Sequence, residues 1–194
     1  MKNAIITLCI GDNFEKLAEL THPTIKQYAD KLGVEFIVIR DRIYPDSIPV
    51  GYEKLRLGNY LEEYDRLIFI DTDIIIRPDT PSLFNFVPEE MFGAFNEGEW
   101  IPGRISALKD AVKQFELSTP NFKAYYNTGV MVFGKQHASM FAEPDRFLDH
   151  FYEQTYLNIM LAREMFERRN LPHTFNRMSH MERDEICLLY TSPS

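Results

Sequence analysis

Asp71 and Asp73 stand two residues apart, directly after the apolar run 67–70 and directly before the apolar run 74–76. Side chains two apart on an extended backbone point the same way, so both carboxylates can face one ion. Hard carboxylate oxygens suit Mg²⁺ or Mn²⁺, and those ions commonly share their coordination with water and substrate phosphates. A diphosphate leaving group gathers negative charge as its bond breaks, and a bound cation offsets that charge. An acidic pair can also simply end a strand. Between two apolar runs, however, uncompensated neighbouring carboxylates would repel and be poorly hydrated. The pattern predicts a metal site facing a phosphate.

The rest of the composition narrows the partners. The chain has 194 residues and a formal net charge of −8. That length fits one domain with a core of its own. No basic patch or stripe is present, which argues against a nucleic-acid partner. An anionic ligand must then find its positive charge locally, in a few Lys or Arg residues or in a metal. Cys9 and Cys187 are the only cysteines, too few for a disulfide framework or a zinc site. This suits a reducing, cytoplasmic setting. The short apolar run 4–10 is followed by Gly11-Asp12-Asn13 rather than a small-residue cleavage site, so it reads as a buried strand and not a signal peptide. No stretch is long and apolar enough to span a membrane. Any work on membrane lipids would be done from the surface.

The elements that must position the acids follow from periodicity. Strands are expected at 4–10, 34–39, 67–70, 91–95 and 130–133. Helices are expected at 14–32, broken near Thr21-His22-Pro23, and at 53–64, 107–115 and 153–169. Residues 40–51, with Pro45, Pro49 and Gly51, read as a loop, and 97–122 as loop-rich. The wholly apolar run 67–70 is a strand buried on both faces. Strand and helix alternate, which predicts an α/β fold with a mostly parallel central sheet flanked by helices. Ligands of such sheets collect at the carboxyl ends of strands, where Asp71 and Asp73 stand.

In this setting Asp71-Thr72-Asp73 resembles the D-x-D of GT-A glycosyltransferases, family 8 above all, which includes glycogenin and bacterial lipopolysaccharide glycosyltransferases. Other segments are similar in the same order. Ala4-Ile5-Ile6-Thr7-Leu8 followed by Gly11-Asp12 resembles the family's first strand and nucleotide-base loop. Lys54-Leu55 resembles a lysine near the diphosphate, and Asn127-Thr128-Gly129 a segment that touches the donor sugar. Glu153-Gln154 with Asn158 resembles an Asp-Gln pair followed by asparagine, and Leu171-Pro172 with Asn176 a late element. The resemblance covers nearly the whole chain. It implies a GT-A (Rossmann-like) fold and transfer of a sugar from a nucleoside diphosphate donor, a UDP-sugar for preference, with retention. It implies Mn²⁺ or Mg²⁺ held by Asp71, Asp73 and a late histidine, with Asp71 also near the ribose. Glu153 and Gln154 would orient the donor sugar or stabilise its transition state. The acceptor, whether glycan, lipid-linked sugar or protein, is not specified.

Two departures accompany the resemblance. Glu153 stands where the family often has Asp, and the late histidine is missing from its usual context. Residues 1–185 read as the domain. Residues 186–194 match nothing in the family pattern and read as foreign sequence on a truncated domain. Two carboxylates, water and phosphate would then hold the ion; His180 is a substitute ligand that comes early in the pattern. Elsewhere, Lys54 could equally be a solvated helix residue, Asn127 a turn cap, and Glu153-Gln154 a polar first helical turn. Trp100 could stack on a sugar or pack a lid; Tyr125-Tyr126 reads as core. His22, His137, His150 and His173 show no ligand spacing and read as surface or capping residues. The rival classes are a haloacid dehalogenase-type phosphatase, a nucleotidyltransferase and an inactive sugar-nucleotide binder. The first starts with its D-x-D, whereas here the motif lies mid-domain. The second needs a glycine-rich basic loop after the first strand, which Gly11-Asp12-Asn13-Phe14 does not supply.

Overall fold

The computed structural model describes residues 1–101, 103–114, 122–147, 152–177 and 189–191. Its organisation begins with β3 (Arg66–Ile70), in which every residue is buried. Leu67 and Phe69 enter a cluster with Tyr52, Tyr125 and Phe133 on one side of the sheet. Ile68 and Ile70 enter a second cluster with Ile5, Ile25 and Leu83 on the other. A strand with core on both faces must be central, and the sheet order is β2-β1-β3-β6-β5-β7.

The other strands are β1 (Asn3–Leu8), β2 (Glu35–Ile39), β5 (Phe92–Asn96), β6 (Tyr126–Gly134) and β7 (Arg168–Leu171), with β2 and β7 at the edges. Pairings of β1 with β2 and β3, and of β5 with β7, are parallel, while β6 is antiparallel to both β3 and β5. The mostly parallel sheet expected from the sequence is therefore present, with β6 alone reversed. Between Ala94 and Phe95 the β5–β6 register jumps, so that Ala94 faces Met131 but Phe95 faces Asn127. A separate pair joins β4 (Ile74–Ile76) to β8 (Leu189–Thr191). Residues 178–188 and 192–194, and with them His180, Cys187 and most of the tail, lie outside the described residues.

Several helix boundaries differ from the expectation. The helix α1 (Asp12–Leu32) is continuous through Pro23. Pro23 and Glu19 lie on its exposed side, so water can serve the carbonyl that proline leaves without a donor. Ala18 and Thr21 before Pro23, and Ile25, Tyr28 and Ala29 after it, are buried on one face and keep the two halves in line. The expected helix at 53–64 is a 3₁₀ stretch, Val50–Arg56, followed by the short α2 (Leu57–Tyr60). A further short helix, α3 (Leu83–Phe86), follows β4. The helix α4 spans Arg104–Gln114; residue 115 lies outside the described residues.

The helix expected at 153–169 is α5 (Tyr152–Arg163), and it stops earlier. Met165 takes a left-handed φ of 53° and turns the chain into β7, whose pairing with β5 outcompetes further helix. No helix among the described residues is long and apolar enough to cross a membrane.

His137 is not a surface residue. It is fully buried, where its Nδ1 accepts the Gly134 N–H at 3.0 Å. Burial pushes its pKa from 6.5 down to about 4. The unfolded chain then binds the extra proton first as pH falls, so this residue's contribution to stability is lost between about pH 6.5 and about 4. Urea titrations across that window should show His137→Phe with a flatter pH profile than the parent; parallel profiles would contradict the assignment.

Candidate active site

At the carboxyl end of β3 the backbone keeps one further ladder bond, Asp71 N–H to the Gly129 carbonyl at 2.8 Å. The chain then turns, with Ile74 N–H donating back to the Asp71 carbonyl at 3.2 Å. Thr72 is buried within this turn. Its hydroxyl donates to the Leu8 carbonyl (2.5 Å) and lies 3.1 Å from Thr7 Oγ1 and 3.2 Å from His22 Nε2. Its carbonyl accepts Thr21 Oγ1 at 2.5 Å. Residue 72 is thereby tied to β1 and α1, and its neighbours Asp71 and Asp73 line a cavity of about 260 Å³ with Leu8, Ile10, Phe14 and Lys54.

Lys54 is the local positive charge that the acidic composition demands. Its Nζ lies 3.2 Å from Asp71 Oδ1, 3.0 Å from Glu153 Oε1 and 5.1 Å from the Phe69 ring centroid. Its side chain is only 8% exposed, so it is not a solvated surface lysine. Burial would lower its pKa, but the charges of Asp71 and Glu153 outweigh burial and raise it. Burial also raises the Asp71 pKa; Lys54 opposes that shift and Glu153 adds to it. Asp73 is pushed up to about 6, by burial first and then by the neighbouring Asp71 charge. No ion pair reaches Asp73 among the described residues.

A second cluster adjoins the first through Thr128. The Thr128 N–H donates to Gln154 Oε1 at 3.1 Å, and its carbonyl and hydroxyl each lie 3.4 Å from Lys54 Nζ. Asn127 Oδ1 accepts the Gly129 N–H (2.8 Å) and Asn176 Nδ2 (2.7 Å). A Cβ at Gly129 would stand 2.9 Å from Asp71 Oδ2, so glycine is what allows this loop against the acid. Asn158 joins α5 to β6: its amide takes the Tyr126 N–H (2.7 Å) and donates to the Tyr126 carbonyl (2.8 Å).

Sequence reasoning thus finds most of the cluster and misses part of it. Lys54, Asp71, Asp73, Thr128, Glu153, Gln154 and Asn127 come together. Thr7 is buried behind Thr72. Gly11 precedes α1 with φ 98°, and Asp12 is its exposed first residue, beside the lining residues Ile10 and Phe14. Glu97 and Arg104 were missed. Glu97 is fully buried and accepts Asn127 Nδ2 (3.1 Å) and Gln154 Nε2 (3.0 Å) on Oε2, and Arg104 Nε (2.8 Å) on Oε1. The available signal was position, for Glu97 follows β5 as Asp71 follows β3. Gly51 was missed as well: a Cβ there would overlap the Glu153 carboxylate. Tyr125 and Tyr126 are core, as expected, and Trp100 is half-exposed against His173, with ring centroids 5.1 Å apart. His150 lies outside the described residues.

The model of glycosyl transferase family 8 matches residues 11–139, well over half of the chain. The chain belongs to this family. It is a glycosyltransferase, moving a sugar from a donor to an acceptor, and the phosphatase and nucleotidyltransferase readings fall away. No curated protein matches it. Among solved structures, a glycosyltransferase involved in glycosylation of the major capsid of PBCV-1 superposes with a TM-score of 0.66 at 12% identity, covering 98% of this chain and 92% of that one. The galactosyltransferase LgtC, in complex with donor and acceptor sugar analogs, gives 0.61 at 14% identity, covering 97% and 86%. The bifunctional glycosyltransferase WbbM gives 0.63 at 16% identity, covering 91% of this chain and 40% of that one. Family 8 and these neighbours share the GT-A fold, and the family's enzymes are generally dependent on a divalent metal.

Lys54→Met leaves Asp71 and Glu153 facing each other without a counter-charge. The loss should be about 3–5 kcal/mol at pH 7. It should shrink as pH falls, because the stranded carboxylates then take up protons. Denaturant titration at pH 7 and pH 5 checks this; a loss typical of surface lysines would refute it.

Proposed function

We propose that this family 8 enzyme transfers its sugar from a nucleoside diphosphate sugar, a UDP-sugar for preference, in a reaction that needs Mn²⁺ or Mg²⁺ and retains anomeric configuration. The observation that carries the metal is the acidic pair. Asp71 and Asp73 share one cavity wall, and Asp73 has no basic partner among the described residues. Two hard carboxylates, one of them without a direct ion pair among the described residues, fit a hard divalent cation. Among the described residues Asp71 and Asp73 are the acids that would hold the ion, with water and phosphate oxygens as further ligands of the kind such ions take. When bound there, the cation neutralises the charge that gathers on the departing nucleoside diphosphate.

The chain's own residues divide the remaining work. Leu8, Ile10 and the 39%-exposed Phe14 offer apolar surface to a planar base; Thr72 lines that end with Thr7 buried behind it, and Gly11 and Asp12 adjoin it in sequence. Lys54 is held as an ammonium and faces the diphosphate beside Asp71. Asn127, Thr128 and Gly129 present polar groups to the sugar, and Glu153 and Gln154 orient it. Family membership supports retention. The acceptor is a glycan, a lipid-linked sugar or a protein, and the place of action is the cytoplasm, at a membrane surface where the acceptor is lipid-linked.

Asp73→Asn should keep the circular dichroism of the parent and lose metal-dependent UDP binding. In the parent, UDP at a hundredfold its Kd with Mn²⁺ should add about 2.7 kcal/mol of stability, and none in chelator. Equal stabilisation in chelator, or unchanged UDP affinity in the mutant, would count against the metal. The anomer of the released sugar product, read by NMR, tests retention.

A further inference from the structure

Glu97 is a buried carboxylate to which the proposed chemistry gives no role. Its two oxygens meet four donors. Arg104 Nε and Nη2 approach Oε1 at 2.8 and 2.5 Å, and Asn127 Nδ2 and Gln154 Nε2 approach Oε2 at 3.1 and 3.0 Å. A carboxylate has about four lone-pair positions, so these donors saturate it. It has no oxygen to spare for a substrate or an ion.

The partners reveal what such saturation does. An amide has one accepting end and one donating end, and either can face a given neighbour. A carboxylate only accepts, so Glu97 forces Asn127 and Gln154 to turn their NH₂ groups toward it. The carbonyl ends must then point the other way. Asn127 Oδ1 meets Gly129 N–H and Asn176 Nδ2, and Gln154 Oε1 meets Thr128 N–H. Both carbonyls therefore pin the backbone of residues 127–129, the segment whose Gly129 carbonyl binds Asp71 N–H. Arg104 reaches in from α4 and fixes the opposite oxygen, so the carboxylate cannot swing.

We propose that Glu97 is a positioning residue for sugar transfer: an acidic clamp, anchored by Arg104, that sets the amide orientation of Asn127 and Gln154. The inference rests on the sugar-transfer reading of the site. It predicts an effect on turnover without contact to substrate. Glutamine at position 97 would place an NH₂ either against Arg104 or against two other NH₂ groups, and no orientation satisfies all four partners.

The test is E97Q in the full chain, with UDP plus Mn²⁺ as the binding probe and UDP release from UDP-galactose and UDP-glucose, with water taking the sugar, as the turnover probe. UDP affinity should stay within about threefold while UDP release slows about a hundredfold, the size expected when reacting groups are misplaced by an ångström. E97D keeps the charge and the fold and should fall between parent and E97Q. In ¹⁵N-labelled protein, the side-chain amide signals of Asn127 and Gln154 should shift together in either variant. Parental turnover in E97Q, turnover lost in step with UDP affinity, or unshifted amide signals would each overturn the clamp. The amide signals need no turnover, so a parent that fails to bind UDP would sink the proposed function and still leave Glu97 decided.

Discussion

Three carboxylates crowd the carboxyl end of β3, and one buried ammonium keeps the crowding tolerable. Lys54 reaches Asp71 and Glu153 at once, at 3.2 and 3.0 Å, and so joins the 3₁₀ stretch, β3 and α5 at a single point. Each member depends on the others. A buried ammonium without counter-charge would be costly, and so would either carboxylate alone. The glycines make the approach possible, since Gly51 leaves room for Glu153 and Gly129 leaves room for Asp71. Asp73 sits just outside this balance: Lys54 acts on it only at a distance and makes no ion pair with it among the described residues, which suits it to an incoming cation.

The direction of β6 does the rest. Its neighbours run parallel, so their carboxyl ends gather at one edge of the sheet. A reversed strand brings its amino end to that same edge, and there lie Asn127, Thr128 and Gly129. Asp71 and Asn127 then share one rim although more than fifty residues separate them in sequence. Lys54, Asp71, Asn127 and Gln154 come from four separate elements, and the loop between β3 and β4 is anchored through Thr72 to two more.

What could be read from the sequence was what local physics decides. Residues 67–70 are apolar throughout because both faces are covered, and that pattern survives without knowledge of the partners. The acids between two apolar runs stand out for the same reason. Glu97 does not, because its burial is made acceptable by Arg104, Asn127 and Gln154, and no spacing rule joins those residues. Pro23 misled because a helix break is a local penalty, whereas the buried face of α1 on both sides of it is a tertiary gain. The early end of α5 is similar: helical periodicity continues past Arg163, but β5 offers β7 a sheet edge that a sequence window does not contain. His137 reads from the sequence as a surface or capping imidazole; it does cap the Gly134 turn, and the closing of the core over that turn is what hides it.

The register jump in β5–β6 has a consequence for how this family member could change. Cross-strand partners share a face of the sheet, and neighbours along a strand alternate. Met131 faces Ala94 and Asn127 faces Phe95, so Asn127 and Met131 lie on opposite faces despite their even spacing. Residues 128–130 are the odd-numbered tract that reverses the parity. Upstream of it Asn127 serves the sugar end of the site while Tyr126 packs in the core, and downstream Met131 and Phe133 serve the core. Gaining or losing one residue there would exchange the two duties, turning an amide into the hydrophobic cluster and an apolar side chain toward Glu97. A one-residue change in length between Asn127 and Met131 would therefore disturb the site in a way that a substitution along the same strand need not.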